Sequence, residues 1–110
     1  MEINSSVENQ TAMVVVKGRV DAITAPEFEK YLFDLLDQDL KKIIINMCEL
    51  NYISSAGLRV ILATAKQMKA IKGDILFVGL GGSVKEIFKI SGFYSILKIF
   101  DTEEEALGKI

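Results

Sequence analysis

Tyr52-Ile53-Ser54-Ser55-Ala56-Gly57-Leu58-Arg59 is the stretch on which the fold of this chain turns. Ahead of it runs Lys42-Ile43-Ile44-Ile45-Asn46-Met47, a short β-branched apolar run of strand type. Behind it Leu58, Ile61, Leu62, Ala65 and Met68 recur at helical spacing up to Lys72-Gly73. The octapeptide is therefore a strand-to-helix junction. Serine suits a helix entry because its oxygen accepts a backbone N–H that the first turn leaves unpaired. A phosphate is also tolerated there, since the free N–H groups and the helix dipole favour negative charge. Two readings of Ser54 and Ser55 stand open on these grounds: a plain cap, or a phosphorylatable switch.

Outward from this junction the same alternation repeats. Glu2 to Val7 can form a first strand, Glu8-Asn9-Gln10 a polar turn, and Met13-Val14-Val15-Val16 a second strand of the kind buried on both faces. Thr24-Ala25-Pro26-Glu27 reads as a capping box, with Pro26 in the first turn, followed by Phe28, Leu32, Leu35 and Leu36 on one helical face. Ile75-Leu76-Phe77-Val78 is a further buried strand, and Ser83 with Glu86 is expected to cap a helix that Ser91-Gly92 stops. Leu97 to Phe100 is a last strand, and Thr102 with Glu105 caps a short helix running to the end. Strands alternating with helices predict an α/β domain over residues 1–110: a mostly parallel sheet of about four to five strands, an N-terminal antiparallel hairpin strand and about four helices. The units are short, roughly 20 to 30 residues, which favours one layer of helices wound steadily in one direction. The loops after the strands, Gly18 to Thr24, Cys48 to Ser55 and Gly79 to Ser83, should then gather at one edge.

Composition narrows the function. The 110 residues are 50% hydrophobic and 25% charged, enough for one core without metal or disulfide support. A net charge of −2 with no Lys/Arg cluster beyond Lys41-Lys42 argues against direct nucleic-acid binding. There is no histidine, so Ser-His and Cys-His catalysis and His-containing zinc sites cannot be assembled within the chain. One cysteine, Cys48, precludes an intrachain disulfide and suits a reducing compartment. No stretch has the character of a signal peptide or a membrane span, so a cytoplasmic protein with no membrane partner is expected.

Other features have plain readings. Gly79-Leu80-Gly81-Gly82-Ser83 sits where phosphate-binding loops occur but matches neither G-x-G-x-x-G nor the P-loop, so a small nucleotide-binding enzyme is the weaker alternative to a tight turn. Asp21 is either a functional carboxylate beside the serine loop or a turn residue. Cys48 is expected in the core, and Glu103-Glu104-Glu105 as a solvated acidic first turn. Ala56 and Gly57 would leave the serines sterically open to a partner.

Taken together, Gly18-Arg19-Val20-Asp21 with Thr24-Ala25, the Ile43 to Met47 strand, Tyr52 to Leu58, Gly73, Ser83-Val84, Ile87-Phe88 and Ser91-Gly92-Phe93 resemble the STAS domain, and within it the stand-alone bacterial anti-sigma-factor antagonists. The resemblance covers nearly the whole chain. It places the family's phosphorylated serine on Ser55, and on Ser54 the Asp that normally precedes it, which is a departure. It implies a non-enzymatic module whose unphosphorylated form binds an anti-sigma factor with serine kinase activity and frees the sigma factor. Phosphorylation would end that binding and a metal-dependent serine phosphatase would restore it, so ATP and metal belong to the partners and no cofactor is expected here. The implied partner face is Asp21, Thr24, Ser54, Ser55, Gly57 and Arg59. A STAS subunit of a signalling scaffold or lipid-transport assembly, without phosphorylation, is the alternative of the same fold.

Overall fold

The computed structural model describes residues 1–108. Its elements are β1 (Glu2–Glu8), β2 (Thr11–Val20), α1 (Ala25–Leu36), β3 (Lys42–Asn46), β4 (Leu50–Ile53), α2 (Ser55–Ala70), β5 (Asp74–Val78), α3 (Gly82–Ile90), a 3-10 turn (Phe93–Ser95), β6 (Lys98–Phe100) and α4 (Glu103–Gly108). The end of the last helix expected from the sequence lies outside the described residues. The sheet runs β1-β2-β3-β5-β6, with only the β1–β2 pair antiparallel among neighbours on this path. Asn9 and Gln10 close that hairpin with φ of 52° and 61°, both left-handed, as a two-residue turn that follows the strand twist requires.

Helices α1, α2 and α3 contribute to one core with the same sheet face, through Phe28, Leu32, Val60, Ile61, Val84 and Phe88. The three crossovers advance in one direction over one face, as the short units predicted. Fully buried Phe28, Leu32 and Ile61 each contribute about 1.5–3 kcal/mol relative to exposure. The expected single helix layer needs one correction. Ile44, Leu76 and Val78 point to the other face, where Ala106 of α4 covers them together with Met13 and Phe100. Because α4 reaches only that far, β3 and β5 are buried on both faces, whereas Met13 and Val15 of β2 are half-buried. The sequence expectation of β2 buried on both faces is therefore corrected to alternation.

Two further local corrections follow. The segment expected as a loop from Cys48 to Ser55 contains strand β4, which pairs in parallel with the end of β2. β2 makes this possible by changing partner: Thr11–Val15 pair with β3, the register shifts between Gly18 and Arg19, and the last residues pair with β4. Gly18 has φ of 88°, a conformation that an L side chain resists, so glycine is what the bend needs. Cys48 is exposed and not in the core, because Asn46 Oδ1 accepts the Cys48 N–H at 2.9 Å and the resulting turn at the end of β3 faces it outward. Among the described residues no helix is long and apolar enough to cross a membrane.

Candidate functional site

The bend in β2 brings the Asp21 loop beside the serine junction. Ser54 N–H donates to the Val20 carbonyl at 2.8 Å, extending the β2–β4 pairing by one step, and α2 starts immediately afterwards. The two serines then differ. Ser54 is the N-cap, with φ −91° and ψ 175°; its carbonyl accepts from Leu58 N–H at 3.0 Å and its hydroxyl from Gly57 N–H at 3.5 Å. Ser55 is the first helical residue, exposed, and its hydroxyl has no hydrogen-bond partner among the described residues. Capping and exposure are divided between neighbours.

Gly57 lies beneath them and is buried. A Cβ there would sit 2.6 Å from Ile53 Cγ1 and 2.8 Å from Val20 Cγ1, so its absence lets α2 start directly on the ends of β2 and β4. Gly57 is thus a packing residue that seats the serines, and it presents no open surface of its own. Arg59, one turn after Ser55, is exposed. It lines a shallow groove of about 420 Å³ between the starts of α1 and α2, together with Ala22, Pro26, Glu29, Ala56 and Ala63.

The start of α1 also differs from its expected capping. Thr24 is in helical conformation and its side chain caps nothing further along, so the Thr24/Glu27 box is absent. The box sits three residues earlier. Asp21 Oδ1 accepts from Thr24 N–H at 3.1 Å, Thr24 Oγ1 accepts from Asp21 N–H at 2.9 Å, and Ala25 N–H reaches the Asp21 carbonyl at 2.8 Å. Ile23 N–H also donates to Asp21 Oδ1, at 3.0 Å. The Thr24 N–H does most to hold the Asp21 carboxyl below its ordinary range; partial desolvation opposes it, while Ile23 N–H, the Thr24 hydroxyl and Arg19 assist. Arg19 Nε lies 3.8 Å from Asp21 Oδ2, and its guanidinium stands 4.5 Å from the centroid of Tyr52, its cross-strand partner. Asp21 thus serves as a turn residue, and its turn holds Ile23 88% exposed, next in sequence to the groove residue Ala22. Ile23 and the groove residues Ala22, Pro26 and Glu29 had no periodic signal. The Asp21-Ala22-Ile23-Thr24 box was legible as a spacing, but Thr24-Ala25-Pro26-Glu27 offered a competing one.

The glycine loop is closely packed at Gly79 alone, since a Cβ at Gly81 or Gly82 would meet nothing within 4 Å. At Gly79, with φ of 76°, a Cβ would lie 3.0 Å from Cys48 Cβ and 3.3 Å from Asn46 Oδ1. Gly81, not Ser83, caps α3; the Ser83 hydroxyl is drawn to the Asn51 carbonyl of β4 at 2.9 Å, which ties α3 to the serine junction. At α4 the expected Thr102–Glu105 box forms, with Glu105 N–H 3.1 Å from Thr102 Oγ1. Glu103 is less solvated than expected, because its carboxylate accepts from Asn46 Nδ2 at 2.9 Å. A second groove, about 400 Å³ between α2 and the start of β6, lies at the opposite end of the sheet from the serines.

Five of the six expected site residues, Asp21, Thr24, Ser54, Ser55 and Arg59, thus stand around one sheet edge, with Gly57 under them. Residues 2–106 match the model of the STAS domain. The chain belongs to the STAS domain family. A STAS relative from Bordetella bronchiseptica, BtrV, assigned as an anti-sigma factor antagonist, is 36% identical over 91 residues, 83% of this chain and 78% of the relative. The structure of an anti-sigma factor antagonist from Thermotoga maritima superposes with a TM-score of 0.92 at 22% identity, over 98% of this chain and 93% of that one. The Bacillus cell-fate determinant SpoIIAA in its phosphorylated form superposes at 0.75 with 20% identity, over 98% of each chain. STAS anti-sigma factor antagonists are binding proteins and not enzymes, and this STAS chain is one of that non-enzymatic class.

Proposed function

We propose that this protein is an anti-sigma-factor antagonist switched by phosphorylation of Ser55. The observation that carries the reading is the division of labour at the junction: Ser54 is turned inward as the cap, while the Ser55 hydroxyl stands free at the first position of α2. An incoming kinase can take Ser55 without dismantling the helix start. The anti-sigma-factor-antagonist relatives support the partner class, and SpoIIAA, a solved neighbour of the same fold, exists in a phosphorylated form. In this reading the cytoplasmic, unphosphorylated chain docks an anti-sigma factor with serine kinase activity across Asp21–Thr24, Ser54, Ser55 and the Arg59 groove, releasing the sigma factor. Transfer of a phosphoryl group from the partner's ATP then adds close to two negative charges at the contact. The fold tolerates that charge at a helix N-terminus, while an interface fitted to a neutral hydroxyl does not. A metal-dependent serine phosphatase would reverse the switch.

The test is to incubate the protein with serine kinases of the histidine-kinase-like fold and ATP, and to map phosphate by mass spectrometry. Phosphate on Ser55, with loss of kinase binding afterwards, is the expected result. Phosphate confined to Ser54 or another residue would overturn the assignment. Binding without any phosphorylation would favour a STAS interaction subunit of a scaffold or transport assembly.

A further inference from the structure

Ser55 and Arg59 are separated by four residues of one helix, which sets their Cβ atoms about 5–6 Å apart on the same face. Both are exposed. The other nearby guanidinium is engaged: Arg19 faces Asp21 and lies over Tyr52. Arg59 enters no ion pair among the described residues, although Glu29 of α1 lines the same groove. The other strands packed against α2 bring no rival. β4 has no charged residue, and Asp74 of β5 is paired with Lys98.

We propose that Arg59 is the residue that holds the phosphate of phosphorylated Ser55, and that this contact is part of the switch. The inference rests on the reading of Ser55 as phosphoacceptor. An anion at position i with a cation at i+4 is the favourable order along a helix. A phosphoserine offers three acceptor oxygens, and a guanidinium can meet two of them with parallel N–H donors. Phosphorylation then alters the partner face twice. It adds bulk and negative charge at residue 55, and it withdraws the Arg59 cation from the groove between the helix starts. Ser54 is unaffected because its hydroxyl is directed at Gly57 N–H.

The experiment uses the full chain with phosphoserine incorporated at residue 55 during translation, so that no kinase is needed. Phosphorus-31 NMR titration is then compared across variants. Arg59→Gln is expected to raise the second pKa of the phosphoserine by ~0.15–0.35 pH unit, Arg59→Lys by less, and Arg19→Gln not measurably. The unphosphorylated Arg59→Gln chain should melt with the unaltered chain, since its side chain has no partner to lose. The phosphorylated Arg59→Gln chain should melt below the phosphorylated parent. Equal phosphate pKa values in the parent and Arg59→Gln overturn the proposal, as does a shift produced by Arg19→Gln in its place. Kinase mapping that finds phosphate elsewhere removes the Ser55 reading, whereas this titration tests the Arg59 contact by itself.

Discussion

Ser54 and Ser55 carry the same hydroxyl on adjacent residues, yet the backbone gives them different work. Ser54 is extended and its oxygen faces back into the first turn, while Ser55 is already helical and its side chain faces solvent. Removing the two hydroxyls should therefore have unequal effects. Ser54→Ala is expected to cost about 0.5–1 kcal/mol, the lower part of the capping range because the bond is long at 3.5 Å. Ser55→Ala should stay within about 0.5 kcal/mol of the parent, as exposed positions without partners do. Thermal or urea denaturation of both variants reads this difference. Equal losses would mean that Ser55 shares the capping. Ser54 supplies an oxygen acceptor at the N-cap without the charge of a carboxylate, so the helix start needs no acid there.

At the scale of elements, the start of α1 shows how a carboxylate can be structural and still shape a functional edge. Asp21 and Thr24 exchange side-chain and backbone hydrogen bonds, and the turn they close projects Ile23 into solvent. The folded-state pKa of Asp21 is lowered, so its contribution is present above the unfolded value and is lost as pH falls through the lower folded value. NMR titration downward should thus show the Ile23 and Thr24 amide signals moving together, with a midpoint below 3.8. Asp21→Asn, which retains an acceptor oxygen and cannot ionise, should abolish the titration while keeping the turn. A midpoint above 3.8 would show that these amides do not hold the carboxylate.

For the whole molecule, the site is a product of where strands end. β2 leaves β3 after Val15, takes β4 as its neighbour from Gly18, and so sets the Asp21 loop against the serine junction. The core lies on the α1–α3 side and the opposite face is closed by α4; Val20, Ile53 and Val60 under the junction belong to that core, while Ser55 above them is exposed. Ser55→Asp tests that separation. It should leave the melting temperature unchanged or raise it by the equivalent of about 0.3–1 kcal/mol, because an acid at the first turn suits the dipole. Binding to the anti-sigma factor kinase, measured by calorimetry, should fall sharply in the same variant. A destabilised Ser55→Asp chain would instead place Ser55 among the structural residues.

Much of this was decided by the sequence alone. Apolar runs such as Ile43–Ile45 and Ile75–Val78, separated by helical faces such as Phe28, Leu32 and Leu35, admit little but a parallel α/β sheet, because each pattern can bury its apolar side only in its own geometry. The family-wide order of short motifs then pointed to the serine pair. Tertiary structure alone decided what each hydroxyl does. The choice of Asp21 over Thr24 at the start of α1 is made by bonds three residues apart, but whether Ser54 or Ser55 caps α2, and whether Gly57 is open or buried, depend on contacts between the end of β2 and the junction after β4. Those contacts join residues some thirty positions apart through backbone groups that every residue type carries. A local pattern of side chains does not encode which of two adjacent serines will meet them.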